Sequence, residues 1–358
     1  MQCPPTRFLG AQDQFLLSNS QGAFNNRTSE AGFAFGDGKG MGVIAADFDH
    51  SGRLSLFVTN DMTPNGFFLN QTPQPGGLPQ FKETALLAGL AFDTSGRANS
   101  CMGAAVHDLD DNQLLDIFVT NFYAESNNLF RQHAELLFED GIEQSKMDIP
   151  SYSVEGWGTQ FIDFDNDGFK DLVVANGHVD NYPHSQTFIP KAMQTQIFRH
   201  RGGGVFDELS AETLGQYFLQ KDLGRAIARL DWNRDGREDF GVTHVHAPFA
   251  LLSNETPLSG HALSIRLRGV ESARDAIGTT VTLQAGDKHW TQQLVAGDGY
   301  CASNQRQLIF GLGECAKVDE LVIQWPSGTR QHFTDLAVDC EILLVEGRSE
   351  AGILRSVE

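Results

Sequence analysis

No apolar run in this 358-residue chain approaches the ~18 to 20 residues of a membrane-spanning helix, which excludes a helical span. Positive charge is scarce. Against 46 Asp+Glu stand 26 Lys+Arg, a formal net charge of −20, so no basic face is available for nucleic acid. Cysteine is sparse and odd in number: Cys3, Cys101, Cys301, Cys315 and Cys340 make no metal-ligand spacing and no dense disulfide framework. One disulfide among the last three is open, with buried free thiols the preferred state. The start, Met1-Gln2-Cys3-Pro4-Pro5-Thr6-Arg7, lacks a basic stretch followed by an apolar segment, so the expectation is either no export or a true start further upstream. No nucleophile elbow, phosphate loop, dinucleotide fingerprint or zinc-protease helix occurs. Tyrosine is rare beside phenylalanine, 5 against 26, and glycine is frequent at 37, which suits short apolar strands joined by tight turns.

What the chain does contain is a repeat. Four acidic segments recur: Asp47-Phe48-Asp49-His50-Ser51-Gly52, Asp108-Leu109-Asp110-Asp111-Asn112-Gln113, Asp163-Phe164-Asp165-Asn166-Asp167-Gly168 and Asp231-Trp232-Asn233-Arg234-Asp235-Gly236. Their starts lie 61, 55 and 68 residues apart, and each follows a phenylalanine 23 to 27 residues upstream: Phe24, Phe81, Phe138 and Phe206. Each is preceded by small residues, as in Gly103-Ala104-Ala105-Val106, and followed by a β-branched apolar run such as Ile117-Phe118-Val119. Short apolar runs bounded by turns read as strands buried on both faces, and small side chains suit strands crowded around an axis. Units of 55 to 68 residues with about four strands each predict propeller blades.

In the third loop Asp163, Asp165 and Asp167 occupy positions 1, 3 and 5, Gly168 position 6, the Phe169 carbonyl position 7 and Asp171 position 9. Alternate residues of a tight loop point at one centre, which serves a hard cation wanting six to eight oxygens. Calcium fits better than magnesium, with its stricter octahedron, or zinc, with its nitrogen and sulfur ligands. An EF-hand would need Glu at position 12 and flanking helices, but Val58, Val119, Val174 and Val242 stand there, in strands. The loops are therefore read as β-hairpin calcium sites. The fourth offers Asp231, Asn233, Asp235, the Arg237 carbonyl and Asp239. The second offers Asp108, Asp110, Asn112, the Leu114 carbonyl and Asp116, with Gln113 where glycine is expected. The first has Asp47 and Asp49 but serines, Ser51 and Ser55, at positions 5 and 9, and should bind weakly or not at all. Acidic turns can cap backbone amides without metal. Four in register argue against that alone, and twelve carboxylates at ligand positions would repel without a cation.

Asp-x-Asp-x-Asp-Gly-x-x-Asp loops followed by apolar strands resemble FG-GAP/VCBS repeats, the calcium-loop blades of integrin α-like propellers, over roughly residues 10 to 256. Beyond Gly260 the texture changes. Gly269-Val270-Glu271-Ser272-Ala273-Arg274-Asp275, Gly297-Asp298-Gly299-Tyr300, Phe310-Gly311-Leu312-Gly313 and Trp325-Pro326-Ser327-Gly328 are similar to an ASPIC/UnbV domain, found behind FG-GAP repeats in the cartilage acidic protein family and in many bacterial secreted proteins. The expected fold is all-β: a β-propeller of four to five blades over 1–256, a small β-sandwich or barrel of about seven strands over 257–348, and a tail, 349–358. Integrin-type propellers have seven blades, leaving two readings, a truncated seven-bladed propeller or a smaller closed one. Missing blades would leave sheet edges to be covered.

The preferred function is a calcium-stabilised recognition or adhesion scaffold, extracellular or in the periplasm and cell envelope, with a protein or glycan partner and no catalytic residues. The alternative is an accessory or catalytic role in natural-product biosynthesis or carbohydrate processing. For that, two or more of His178, His184, His244 and His246 would have to converge, and Asp275, Arg274 and Asp298 could form a second polar site, although surface histidines and turn-stabilising pairs are the preferred readings.

Overall fold

The computed structural model describes residues 5–33, 36–179, 190–257 and 260–356. The acidic repeats become antiparallel sheets, each adding strands outward in chain order. The first blade is Gly40–Ala46, Ser55–Asn60, Gly66–Asn70 and Phe81–Glu83; the second is Cys101–His107, Asp116–Asn121, Asn128–Ala134 and Leu137–Asp140. The third is Gly156–Ile162, Asp171–Asn176, Gln196–His200 and Phe206–Glu208, and the fourth holds three strands, Gly224–Leu230, Asp239–His244 and Ala250–Leu252. Ahead of them a two-stranded hairpin, Leu16–Ser18 with Phe24–Asn26, repeats the outer half of a blade.

The innermost strands lie side by side in chain order, and small residues permit it. A methyl group on Gly103 would stand 2.3 Å from the Trp157 carbonyl oxygen, and one on Gly158 2.4 Å from that of Arg225. All four inner strands carry an irregularity at the same place, after Gly40, Cys101, Gly156 and Gly224. Such bulges increase the local twist.

Between blades the packing is aromatic. Phe138, from the second blade's outer strand, lies 6.2 Å from both Phe48 and Phe67 of the first blade, ring centre to ring centre. Phe206 of the third blade takes the equivalent place against Leu109, Phe118 and Leu129. Burying one such ring stabilises the interface by roughly 2 to 3 kcal/mol. The first blade's free face is covered by the N-terminal segment: Phe33 stacks on Phe68 at 4.1 Å and Phe15 meets Phe81 at 5.5 Å.

From His261 onward the chain forms a sandwich of eight strands rather than about seven. One sheet orders Leu308–Gly313, His261–Arg268, Cys340–Val345 and Gly352–Ser356; the other orders Lys288–Gln293, Thr280–Ala285, Lys317–Gln324 and Arg330–Ala337. Trp325, Phe310 and Leu263 lie in the core between them. Residues 349–358 are not simply a tail, because Gly352–Ser356 pairs with Cys340–Val345.

The sandwich is interlocked with the blades. Its segment 294–307 runs along the inner strands: Ala45 and Ala296 exchange backbone hydrogen bonds at 2.8 and 3.2 Å, and Ala104 and Gly299 do so at 2.6 and 3.2 Å. Asn304 then bonds both Gln160 and the Arg229 amide at 2.9 Å. A buried ion cluster strengthens the seam. Glu238 pairs with Lys170 and, at 3.0 Å, with Arg229, while Lys170 also donates to the Ile309 carbonyl at 3.0 Å. Burial pushes the Glu238 carboxyl up, but Lys170 and Arg229 outweigh it and hold the group below its ordinary range.

Candidate metal centres

Each acidic loop joins the first and second strands of its blade, and all four share one backbone shape. Position 4 takes a positive φ in every loop, at His50, Asp111, Asn166 and Arg234. Position 6 does so too, at Gly52, Gln113, Gly168 and Gly236. The left-handed region suits glycine. Gln113 enters it at φ 69° with a full side chain, the strained turn expected from its sequence.

The position 1 carboxylate folds the loop over itself, accepting from the amides of positions 5 and 6. The distances are 3.1 and 2.8 Å at Asp47, 3.1 and 2.8 Å at Asp108, 3.2 and 3.0 Å at Asp163, and 3.0 and 3.2 Å at Asp231. Position 9 ties the loop to the third strand. Asp116 accepts from the Gln132 amide at 2.8 Å, Asp171 from His200 at 2.8 Å and Asp239 from Asn254 at 2.7 Å. In the first loop the Ser55 hydroxyl accepts the Asn70 amide at 3.0 Å in the same way, keeping the clamp without the charge.

Where the loops differ is in convergence. Among the described residues one group of three metal-capable side chains comes together: ligand oxygens of Asp163, Asp165 and Asp167 lie within 4.8 Å of one another. Two oxygens on opposite sides of a calcium ion, each at ~2.3 to 2.6 Å, stand about 4.6 to 5.2 Å apart, so this spread fits around one such ion. The oxygen-only donor set is also that of a hard cation. Asp108, Asp110 and Asp116 make no such group, nor do Asp231, Asp235 and Asp239, and the first loop offers two carboxylates, Asp47 and Asp49. Asn112 and Asn233 are engaged locally, Asn112 with the Gln132 carbonyl and Asn233 with Asp235, both at 2.9 Å. The amides two residues on, those of Phe169, Leu114 and Arg237, donate to the side chains of Asp167, Asn112 and Asp235 at 2.9, 2.7 and 3.0 Å.

Burial of these carboxylates is costly for their charge. Burial, then the Asp111, Asp116 and Asp110 carboxylates, pushes Asp108 up to about 7; burial raises Asp116 to about 7 despite Arg131. Asp171 goes to about 7 through burial and its neighbours Asp165 and Asp167, and Asp163, 1% exposed, is displaced well upward by burial. Asp47 and Asp239 reach about 6, burial leading in both.

Two arginines partly offset this, and sequence reasoning missed them. Arg199 lies 2.7 Å from Asp165 and 3.6 Å from Asp167; Arg131 lies 2.6 Å from Asp110 and 3.3 Å from Asp116. Both follow the phenylalanine of a third strand, in Leu129-Phe130-Arg131 and Ile197-Phe198-Arg199, whereas the other two blades carry Leu69 and Ser253 there. That recurrence was the available signal. The third loop is also roofed by the sandwich, since the Gly313 amide bonds the Asn166 carbonyl at 2.9 Å.

Among the described residues the remaining candidates do not assemble into a metal-holding group of three. His178 sits 3.5 Å from buried Glu155 and packs on Phe122 and Tyr123, while His244 bonds the Tyr217 hydroxyl at 2.9 Å and the Pro248 carbonyl at 2.8 Å. His184 and Cys3 lie outside the described residues. Arg274 and Asp275 are exposed, but Asp298 is buried in the interlocking segment beside Asn304, so the three do not form a polar site. The described cysteines are free, and Cys301 is exposed rather than buried.

Comparison with known proteins agrees with this architecture. An FG-GAP-like repeat family model matches residues 108–174, which hold the second and third loops, a narrower span than the residues 10 to 256 of the sequence reading. An ASPIC and UnbV family model matches residues 269–351. Cartilage acidic protein 1 of Mus musculus is 29% identical over 171 residues, 46% of this chain and 25% of the relative; the Homo sapiens protein is also 29% identical, with 24% of its length covered. The match thus spans about a quarter of the length of these relatives. The chain combines an FG-GAP-like repeat segment with an ASPIC and UnbV segment, and part of it is similar to cartilage acidic protein 1.

Proposed function

We propose that the chain is a calcium-stabilised recognition or adhesion scaffold working outside the cell or in its envelope, with a protein or glycan as partner. The observation that carries the metal reading is the convergence of Asp163, Asp165 and Asp167 in a loop whose buried carboxylates resist ionising. The Phe169 carbonyl and Asp171 complete that set. Asp231, Asn233, Asp235, Arg237 and Asp239 form a second, Asp108, Asp110, Asn112, Leu114 and Asp116 a third, and Asp47, Asp49 and Ser51 a weak fourth. Once bound, the cation replaces repulsion within each hairpin by attraction. A metal that binds only the folded state stabilises it by RT ln(1+[Ca]/Kd), about 1.4 kcal/mol per site at ten times Kd. Extracellular modules work at Kd of roughly 10⁻⁴ to 10⁻³ M, which fits a protein exposed to millimolar calcium. Similarity to cartilage acidic protein 1 supports the extracellular placement.

Titration calorimetry with calcium chloride on metal-stripped protein tests this. Uptake of two to four ions with Kd in the range from about 0.1 to 1 mM is expected. No heat and no chelator-dependent change in melting would overturn the metal reading.

A further inference from the structure

The second and third acidic loops and the sandwich together line a cleft of about 470 Å³. That volume falls within the ~300 to 1,000 Å³ of small-molecule sites. No residue of the first or fourth blade lines it. Its inner wall is the sandwich strand Lys288–Gln293, where Trp290 lies against the third loop so closely that a methyl on Gly168 would stand 2.6 Å from the indole nitrogen. Two other lining residues break the pattern of their own repeat. Position 7 holds Arg53, Leu114 and Arg237 in three loops but Phe169 in the third, and this ring is 40% exposed although one edge meets His200. Position 6 is glycine in three loops but Gln113 in the second, in the left-handed region at φ 69°. Backbone strain of that kind persists where the residue is used for something other than folding.

The chemistry of the cleft selects its ligand. Asp111 and Asp287 supply acceptors, Lys288 supplies donors, and none of the three enters an ion pair among the described residues. Trp290 is 8% exposed, and its indole N–H donates to no described acceptor. The Gln113 amide, and the hydroxyls of Thr282 and Thr291 at 3.3 Å from each other, can both donate and accept. A phosphate or other polyanion would meet two carboxylates on a chain of net charge −20. A lipid tail would bury those charges without partners. A lysine or arginine head group carries no acceptor for Lys288 or the indole N–H. A neutral sugar satisfies every group: each hydroxyl is donor and acceptor, and the C–H face of the ring lies on the electron-rich face of an exposed aromatic.

We propose that this cleft binds a neutral glycan, one pyranose ring stacked on Phe169. Its hydroxyls donate to Asp111 and accept from Lys288 and the Gln113 amide. Gln113 thus gives up the relaxed turn that glycine would provide in order to place a hydrogen-bonding side chain at the ligand. The inference deepens the recognition reading and rests on it, taking glycan rather than protein as the ligand of this site; it does not depend on the metal.

The test is thermophoresis of the labelled full chain against neutral oligosaccharides of glucose, mannose, galactose, xylose and N-acetylglucosamine, with a heparin oligosaccharide and an oligolysine peptide as charged comparators. Saturable binding of at least one neutral oligosaccharide, with Kd of about 1 mM or tighter, is expected. Phe169→Ala should weaken it about tenfold or more, while Phe169→Trp, which keeps an aromatic face, should retain it. Gln113→Gly should weaken it several-fold in a protein that melts no lower, an outcome that a purely structural role would not produce. Phe24→Ala, at an exposed ring of the N-terminal hairpin, should leave it unchanged. No neutral oligosaccharide bound up to ~10 mM, binding of the charged comparators alone, or equal losses in Phe24→Ala and Phe169→Ala would overturn the proposal. Calcium calorimetry on the same sample separates the two readings, since ion uptake without glycan binding sinks the cleft and leaves the scaffold standing.

Discussion

The first and third acidic loops have the same backbone and different chemistry. Asp47 and Asp163 accept the same two amides, and Ser55 and Asp171 clamp the same strand position. Yet the third loop gathers three converging carboxylates under the sandwich and the first offers two. Loop shape is therefore set by amide capping and turn residues, and holds without the full acid set. The additional aspartates are surplus to folding, which is why they are informative about a ligand.

The comparison breaks most directly by mutation. Asp167→Ala should lower the calcium-saturated melting temperature by several degrees and remove one calorimetric site, while Asp49→Ala should leave both within error. Equal losses would mean that the two loops do the same job. Next comes pH. The raised carboxylates of the third and second loops keep their protons in the metal-free fold up to about pH 7, whereas the unfolded chain releases them near pH 4. The stability conferred by the protonated forms is thus present at pH 4 and lost as pH rises toward 7. Chelated protein should lose a few kcal/mol across that window, and calcium should suppress the loss; chemical denaturation at pH 4.5 and 7.5 measures it. A chelated protein equally stable at both would contradict the burial argument.

Arg199→Ala gives a smaller and two-signed effect. Without metal it should destabilise by about 1 kcal/mol, since Asp165 and Asp167 lose a partly exposed counter-charge. With metal it should tighten calcium binding a few-fold by removing a competing cation, and calorimetry would show a looser site if the arginine instead helps to orient the ligands. Smallest is Gln113→Gly. It should stabilise by no more than about 1 kcal/mol, relief of the left-handed strain being partly offset by the extra freedom of glycine in the unfolded chain.

The loops, the blade sheets and the change of texture beyond Gly260 were legible because each is encoded over a few neighbouring residues. Ligand alternation, strand runs and turn glycines are local signals. Arg131 and Arg199 were not legible from the loops they serve, because they reach Asp110 and Asp165 from strands 21 and 34 residues further along the chain. The segment 294–307 was less legible still. Its partners Ala45, Ala104 and Gln160 lie more than a hundred residues distant, and pairing at that range leaves no periodic trace. Gly352–Ser356 was read as a tail for a related reason: a short edge strand takes its conformation from the neighbour it joins.

That long-range segment has a consequence for how the molecule would come apart. A protease cutting between Asn254 and Gly260 would sever the covalent link between blades and sandwich. The two pieces would still travel together through a sizing column, because 294–307 is threaded along the inner strands and Lys170 is held by a carbonyl from across the seam. Separating them would require denaturant, and the nicked protein would melt in one transition rather than two.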